Sequence, residues 1–146
     1  MTPEEIACRS AEAMWAGDRA SQSLGMTIQA VGPGTATLSM ALRYDMVNGH
    51  AIGHGGLTFT LADSAFAFAC NSYNRATVAA GADIAFRRPT RLGDHLVATA
   101  TERERDDRDG VYDVLVTVDD EVVAVFTGRS REIGGTLFDG PGSSQS

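Results

Sequence analysis

The amino-acid sequence predicts an α+β fold in which an antiparallel β-sheet wraps around one long central helix, with a short helix at the N-terminus. Residues 57–73 contain no proline and no glycine, and their apolar side chains are spread around the whole helix rather than along one stripe. Runs rich in valine, threonine and alanine follow, separated by turn residues. A helix that is apolar on most sides must be buried, so we expect the strands to cover it.

The N-terminal helix is predicted from its start and stop signals. Thr2 is a suitable N-cap, and Pro3 suits the first helical position. Glu4 and Glu5 are favourable at the positive end of the helix dipole. Gly17 is expected to end this helix.

A β-hairpin is predicted after the first helix. The pattern becomes strand-like from about Met26, and the turn residues 32–34 precede a second run at 35–40. After the central helix, antiparallel strands are predicted at 77–86, 96–102, 111–118 and 121–127. The charged run 102–109 alternates in sign, and we interpret it as an exposed hairpin end without a function.

Residues 1–138 are predicted to form a single domain. The chain has 146 residues, an ordinary size for one domain. Residues 139–146 consist mostly of glycine, serine and proline, so we expect a disordered C-terminal tail. The two cysteines, Cys8 and Cys70, are too few for a disulfide framework.

The charge of the chain excludes several classes of protein. The formal net charge is −7, so we expect no nucleic-acid partner. All the basic residues are arginine, which excludes enzymes that need a lysine amine, such as Schiff-base enzymes and P-loop proteins. The longest apolar run, residues 65–70, is too short to cross a membrane, and the acidic N-terminus does not resemble a signal peptide. We therefore expect a soluble, cytoplasmic protein without a membrane partner.

Asp63 is the only carboxylate in the predicted central helix and a candidate catalytic group. Aspartate is rarely buried without a partner or a purpose. Two interpretations stay open. Asp63 either belongs to a narrow solvated strip with Thr60, Ser64 and Asn71, or it is a catalytic carboxylate.

The glycine-rich loop before the central helix contains further candidates. Gly55 and Gly56 leave backbone N–H groups unobstructed at the positive end of a helix, and such an end can hold an oxyanion. Loop flexibility or close packing is the alternative explanation of this glycine pair. His50 and His54 are four residues apart, but no third ligand is evident, so we predict no metal site.

Four motifs together resemble one known family. They are N-G-H-A-I-G-H-G-G at 48–56, L-A-D-S-A at 61–65, D-I-A-F-R-R-P at 83–89 and L-G-D at 92–94. This set resembles the PaaI family of hotdog-fold acyl-CoA thioesterases, and the resemblance covers about residues 20–135. Two further runs, 66–72 and 128–135, are similar more narrowly to the phenylacetate-degradation thioesterases of that family.

The resemblance implies a hotdog fold, a homodimer or dimer-of-dimers, and hydrolysis of an aryl-acetyl-CoA of the phenylacetyl-CoA or hydroxyphenylacetyl-CoA class. No cofactor is implied besides the coenzyme A of the substrate. Asp63 would be the nucleophile or the general base, and a backbone N–H of the His54-Gly55-Gly56 turn would polarise the thioester carbonyl. Asn48 and His54 would line the same pocket. Some relatives have a water-positioning serine early in the strand after the helix, where this chain has Ala79.

The spacing of the candidate groups predicts a site shared between two chains. Asp63 lies seven residues after Gly56, which corresponds to about 10.5 Å along a helix axis. A reacting group and an oxyanion donor must both lie about 3 Å from the reacting centre. One helix can hardly place both, so we expect Asp63 of one subunit to face the helix N-terminus of another.

Arginines near strand ends are candidates for binding the phosphates of CoA. We assign Arg88 and Arg129 to the substrate, from a basic set that also includes Arg87, Arg91 and Arg131. Arginine suits phosphate because its guanidinium is a bidentate donor. A solvated strand end, balanced by neighbouring acidic residues, is the alternative interpretation.

Two other functions are retained as alternatives. Asp45 and His50 have the D-x4-H spacing of hotdog hydratases that act on acyl thioesters, although Asn48 and Gly49 do not reproduce the rest of that pattern. A non-catalytic module that binds acyl-CoA is the third hypothesis.

Overall fold

One antiparallel sheet holds the central helix, as the sequence predicts. The structure, a computed structural model, describes residues 1–142, and no helix in that range is long and apolar enough to cross a membrane. The helices are α1 (Pro3–Gly17), α2 (Arg19–Ser23) and α3 (Gly55–Cys70), with a 3-10 turn at Tyr44–Met46. The strands are β1 (Thr27–Gly32), β2 (Thr35–Ala41), β3 (Thr77–Phe86), β4 (His95–Asp106), β5 (Asp109–Val118) and β6 (Glu121–Glu132). Their order across the sheet is β1-β2-β4-β5-β6-β3, which leaves β1 and β3 at the edges.

Reciprocal hydrogen bonds hold the start of α1. The Thr2 hydroxyl accepts from the backbone N–H of Glu5 at 3.1 Å, and the Glu5 carboxylate accepts from the N–H of Thr2 at 3.3 Å. The helix ends at Gly17, so both predicted limits are confirmed. The sequence patterns do not predict α2, a short helix capped by Asp18, whose carboxylate accepts from the N–H of Ser21 at 3.0 Å.

α3 begins and ends earlier than predicted. It covers Gly55–Cys70 rather than residues 57–73, because side chains cap both of its ends. At the start, the His54 ring accepts a hydrogen bond from the backbone N–H of Gly56. At the end, the Asn71 side-chain amide bonds to the last turn of the helix and to the start of β3, so the chain turns into the sheet there.

The predicted hairpin and the later strands are confirmed, but β4 and β6 extend beyond their predicted ends and β5 begins two residues before its predicted start. β3 has the predicted bounds. The charged extensions of the other strands are held by ion pairs between neighbouring strands, namely Arg103 with Asp113 and Arg131 with Asp109. The alternating charges therefore belong to the paired ends of the strands and not to the loop that joins them.

The interpretation of residues 102–109 as an exposed hairpin end is wrong for part of the run. The Glu102 carboxylate accepts hydrogen bonds from the hydroxyls of Tyr73 at 2.7 Å and Tyr112 at 3.1 Å. The Arg105 guanidinium lies over the Tyr73 ring, 3.6 Å from its centroid. These contacts join β4 and β5 to the loop after α3, and they anchor the C-terminal end of that helix.

The apolar residues of α3 pack tightly against the sheet. Leu61, Ala65 and Phe66 are almost completely buried. Gly128 on β6 is required by this packing, because a Cβ atom there would lie 2.7 Å from the Phe66 ring. The helix is therefore fixed in depth and rotation relative to the sheet, which decides which of its residues stay accessible.

Asn74 holds the segment that follows β6. Its side-chain oxygen accepts from the N–H groups of Leu137 at 2.8 Å and Phe138 at 3.1 Å, and its amide nitrogen lies 3.2 Å from the carbonyl oxygen of Gly140. Residues 143–146, the end of the predicted tail, lie outside the described residues. The disorder of the tail stays a prediction.

Candidate active site

One side of α3, which we call the open side, is not covered by the sheet. It consists of Gly56, Thr60, Asp63 and Ala67, which are all at least partly exposed. Their spacing of four, three and four residues places them in one row along the helix. Asp63 is the only ionisable side chain in this row.

The Asp63 carboxylate is half-buried, and no group among residues 1–142 donates a hydrogen bond to it. Loss of hydration raises the pKa of Asp63 above the usual value for an aspartate. Of its expected neighbours in a solvated strip, Thr60 and Ser64 are partly exposed, whereas Asn71 is buried and hydrogen-bonded. A carboxylate short of both water and partners is available to a substrate or to a reacting water molecule.

His54 is the N-cap of α3. Its Nδ1 atom accepts from the backbone N–H of Gly56 at 3.1 Å, so the proton of the neutral ring is on Nε2. Its carbonyl oxygen accepts from the N–H of Leu57 at 2.9 Å. No acceptor within residues 1–142 is bonded to the N–H of Gly55. Of the two glycines predicted as oxyanion donors, Gly55 therefore has the free donor, and that of Gly56 is already used.

Asn48 closes the loop that leads to this helix start. Its side-chain oxygen accepts from the N–H groups of His50 at 2.9 Å and Ile52 at 3.2 Å. The Met46 carbonyl in turn accepts from the N–H of His54 at 2.9 Å. Asn48 and His54 thus lie on one loop that hydrogen bonds close, and the Asn48 amide NH₂ has no partner among the described residues.

A cavity of about 370 Å³ lies beside the start of α3. It is lined by residues that include Gly53, Gly55, Thr58, Phe86 and Arg88. A Cβ atom on Gly55 would lie 3.0 Å from the Phe86 ring, so the ring closely approaches the backbone that carries the free N–H. Glycine at this position leaves room for the Phe86 ring beside the helix start.

The structure separates the two arginines assigned to the substrate. Arg88 lines the cavity, where its Nη1 donates to the Pro89 carbonyl at 3.0 Å and its Nε lies 3.1 Å from the Glu121 carboxylate. Arg129 is paired with Asp83 at 3.3 Å and is not among the residues that line the cavity. The geometry therefore favours Arg88 over Arg129 as a contact for a molecule bound there.

The residues of the hydratase alternative are not brought together. The Asp45 carboxylate forms an ion pair with Arg43 at 3.1 Å. His50 lies at the exposed tip of the loop, and within residues 1–142 no hydrogen bond joins it to Asp45. Ala79, where some relatives have a serine, is exposed on β3.

Comparison with known proteins decides the family. The sequence profile of the thioesterase superfamily matches residues 50–125, the stretch that contains most of the loop, all of α3, the strands β3, β4 and β5, and the start of β6. The chain belongs to the thioesterase superfamily. It has the hotdog fold of that family, and the resemblance to its PaaI-type members is confirmed.

The similarity to PaaI proteins extends over almost the whole chain. The acyl-coenzyme A thioesterase PaaI of Escherichia coli K12 is 43% identical over 132 residues, which are 90% of this chain and 94% of that protein. The structure of the E. coli PaaI protein from the phenylacetic acid degradation operon superposes with a TM-score of 0.90 at 41% identity, and the match covers 92% of this chain and 99% of that one. A mutant of the phenylacetic acid degradation protein PaaI from Thermus thermophilus is 33% identical with a TM-score of 0.77, over 80% of this chain and 100% of that one.

Two features of the site are missed by sequence analysis. The capping role of His54 carries only a weak local signal, because Ser, Thr, Asp and Asn rather than histidine are the usual N-cap residues. Phe86 carries no such signal, since its contact with Gly55 joins residues far apart in the chain. Only the fold shows that this ring is a wall of the cavity.

Proposed function

We propose that this thioesterase hydrolyses aryl-acetyl-CoA thioesters, of the phenylacetyl-CoA or hydroxyphenylacetyl-CoA class, to the free acid and CoA. Membership of the family and the similarity to an acyl-coenzyme A thioesterase over 90% of the chain support acyl-CoA hydrolysis. The observation that carries the proposal is the half-buried Asp63 carboxylate without a hydrogen-bond donor on the open side of α3. No cofactor is proposed, since CoA enters as part of the substrate.

Two groups carry the proposed chemistry, the Gly55 N–H and the Asp63 carboxylate. The Gly55 N–H, at the positive end of α3, donates to the thioester carbonyl oxygen as negative charge develops there. Asp63 acts as the nucleophile on the carbonyl carbon or as the general base for water. The Asn48 amide and the Nε2–H of His54 are further donors on the same loop. With Asp63 as base, the C–S bond of the tetrahedral intermediate breaks and the proton on Asp63 passes to the sulfur, which gives the free acid and the CoA thiol. With Asp63 as nucleophile, the C–S bond breaks and the sulfur takes a proton from solvent, and water then hydrolyses the acyl–Asp63 anhydride to the free acid.

We further propose that each active site is shared between two copies of this chain. Gly55 and Asp63 are eight residues apart on one helix, about 12 Å along its axis, so a single chain cannot bring both to one carbonyl group. The open side of α3 and the edge strand β3 are both uncovered, and Val78 and Phe86 on β3 are 44% and 54% exposed. A second copy that covers these surfaces forms a homodimer, and two such dimers form the dimer-of-dimers.

A substrate panel tests the proposed activity. Thiol release from phenylacetyl-CoA, hydroxyphenylacetyl-CoA, acetyl-CoA and crotonyl-CoA is followed with a thiol reagent, after correction for the exposed Cys8. We expect kcat/KM for the aryl-acetyl thioesters to exceed that for acetyl-CoA by about tenfold or more. Hydration of crotonyl-CoA without thiol release would instead support the hydratase alternative. Tight binding without turnover would support the acyl-CoA-binding module.

Arg88→Ala is expected to raise KM for CoA thioesters about tenfold with little change in kcat, because a remote phosphate contact contributes equally to the ground and transition states. Arg129→Ala is expected to act in the same direction but more weakly, since Arg129 lies outside the cavity. The measurement is steady-state kinetics with the full CoA thioester and with a pantetheine thioester that lacks the nucleotide. The effect of Arg88→Ala should disappear with the pantetheine thioester.

Arg103→Ala is the matched control, because Arg103 is paired with Asp113 as Arg88 is with Glu121, but Arg103 is not among the residues that line the cavity. It should leave KM unchanged. Equal KM values for wild type and Arg88→Ala on full CoA thioesters would place the phosphates elsewhere.

A further inference from the structure

The short helix α2 contacts α3 directly beside Asp63. The Ser21 hydroxyl donates to the Asp18 carboxylate at 2.7 Å and lies 2.9 Å from the hydroxyl of Ser64. Ser21 is only 1% exposed, so its own hydroxyl is shielded from solvent. Asp18, Ser21 and Ser64 therefore form a hydrogen-bonded chain that ends next to the candidate catalytic carboxylate.

The direction of this chain is fixed by chemistry. An ionised carboxylate accepts hydrogen bonds and donates none, and a serine hydroxyl has one proton to donate. Because Ser21 donates its proton to Asp18, it can only accept from Ser64. The proton of Ser64 is therefore committed to Ser21, and its oxygen is left with acceptor capacity alone.

Ser64 and Asp63 are joined by no direct hydrogen bond within the described residues. Consecutive residues are about 100° apart around a helix, so their side chains do not face each other. A water molecule in contact with both side chains would donate one proton to each oxygen, since both oxygens can only accept. Both groups are partly exposed, and Asp63 lacks any donor from the described chain.

We propose that Ser64, oriented by Ser21 and Asp18, holds the hydrolytic water that Asp63 activates as general base. This inference rests on the proposed function. With one proton directed to Asp63 and the other to Ser64, the water presents a lone pair to the thioester carbonyl carbon. Ser64 thus supplies a contact that Ala79 cannot supply.

The step balances as a hydrolysis. The water oxygen forms a bond to the carbonyl carbon while Asp63 takes one water proton, and the Gly55 N–H of the other subunit binds the resulting oxyanion. The C–S bond breaks as the carbonyl re-forms. The departing sulfur takes the proton from Asp63, which leaves the carboxylic acid, the CoA thiol and the ionised carboxylate.

Thr60 is the competing candidate for this role, because it lies on the open side three residues before Asp63. Its hydroxyl donates to the Gly56 carbonyl at 2.8 Å, the local bond that threonine commonly makes within helices. Its orientation does not depend on α2. Thr60 therefore serves as a control. Its hydroxyl is held within α3, whereas the Ser64 hydroxyl is oriented by Ser21 and Asp18.

Asp18→Asn is the decisive variant. It reverses the direction of the hydrogen bonds between Ser21 and Ser64, and it does so at a residue that does not touch the substrate. Asparagine is an equally good N-cap, and its single oxygen must face the Ser21 N–H to keep the cap. The introduced NH₂ group then faces the Ser21 hydroxyl and donates to it. Ser21 must in turn donate to Ser64, which frees the Ser64 proton to point at the water.

We expect Asp18→Asn and Ser64→Ala each to lower kcat about tenfold with KM unchanged, and the double variant to lose no more than Ser64→Ala alone. Ser64→Thr should retain most of the wild-type kcat, because it keeps the hydroxyl. Thr60→Ala should have a smaller effect than Ser64→Ala. Thermal unfolding of every variant is measured alongside, and Asp18→Asn is expected to keep the wild-type Tm.

Wild-type kcat in Asp18→Asn would overturn the inference, as would losses that add in the double variant. A loss in Thr60→Ala as large as that in Ser64→Ala, with Asp18→Asn silent, would assign the water to Thr60 instead. These outcomes are distinct from failure of the proposed function. That failure would appear as no thiol release by the wild type, or as full activity of Asp63→Asn, and it would remove this inference too.

Discussion

Asp63→Asn is expected to lower kcat for thioester hydrolysis by about 10²- to 10⁴-fold, the range that a positioned acid–base group contributes. Asparagine keeps the size and hydrogen-bonding capacity of the side chain, but it can neither take a proton from water nor attack the carbonyl carbon. The measurement is kcat on the best substrate of the panel. Asp45→Asn is the control, because Asp45 is bound to Arg43 and should leave kcat unchanged.

The pH dependence gives the same prediction a second readout. The base must be ionised, and burial raises the pKa of Asp63. The acid limb of the pH profile of kcat/KM for the wild type should therefore lie at a higher pH than the pKa of an ordinary aspartate, with activity falling as the pH drops through the raised pKa.

If Asp63→Asn retains more than about a tenth of the wild-type turnover, the chemistry does not depend on Asp63.

Folding of the Asp63→Asn variant is checked by its unfolding temperature. A carboxyl group with a raised pKa in the folded state favours folding when protonated, and this contribution is lost as the pH rises through the raised pKa. At neutral pH the wild type therefore bears the cost of a half-buried charge that asparagine avoids. We expect Tm of the variant to be equal to or slightly above that of the wild type at pH 7, and the difference to shrink toward acid pH.

The fold was largely predictable because its strongest signals are local. A helix without proline or internal glycine that is apolar on most sides requires a sheet to cover it, and turn residues separate the strands. The ends of α3 were less predictable because His54 and Asn71 cap it through side-chain geometry. The lengths of β4 and β6 depend on partners such as Arg131 and Asp109, which are far apart in the chain.

The site was predictable where one residue differs in polarity from its sequence neighbours. It was less predictable where the contacts join residues that are far apart in the sequence. Asp63 is a lone carboxylate in an apolar helix, which is visible in the sequence itself. The difference between Arg88 and Arg129 depends on which strand end meets the cavity. The contact of Ser21 with Ser64 joins residues 43 positions apart through an unpredicted helix, and no periodic pattern encodes it.

Mixing two inactive variants is expected to restore activity if each site is built from two chains. The first variant is Asp63→Asn. The second is Gly55→Leu, whose side chain would meet the Phe86 ring, since a Cβ atom alone already approaches it to 3.0 Å, and would block access to the free N–H. Each parent homodimer then has two damaged sites. The expected activity of each parent is below about a hundredth of the wild type.

A mixed dimer distributes the two lesions unequally. In a two-fold dimer, one site combines Asp63 of the first chain with the helix start of the second, and the other site combines the reverse pair. One site therefore receives both lesions and the other receives neither. After co-expression or refolding of the mixed chains, each heterodimer should show about half the activity of a wild-type dimer.

The control mixes Asp63→Asn with Asp63→Ala, which damages the same group in both chains and should restore nothing. The proportion of heterodimer is measured by native mass spectrometry, because the restored activity must scale with it. If the mixture of Asp63→Asn and Gly55→Leu stays inactive while heterodimers are present, both groups act within one chain. The distance of about 12 Å between them along α3 would then have to be bridged by a rearrangement of the helix start, since a thioester carbonyl can contact only groups within about 3 Å.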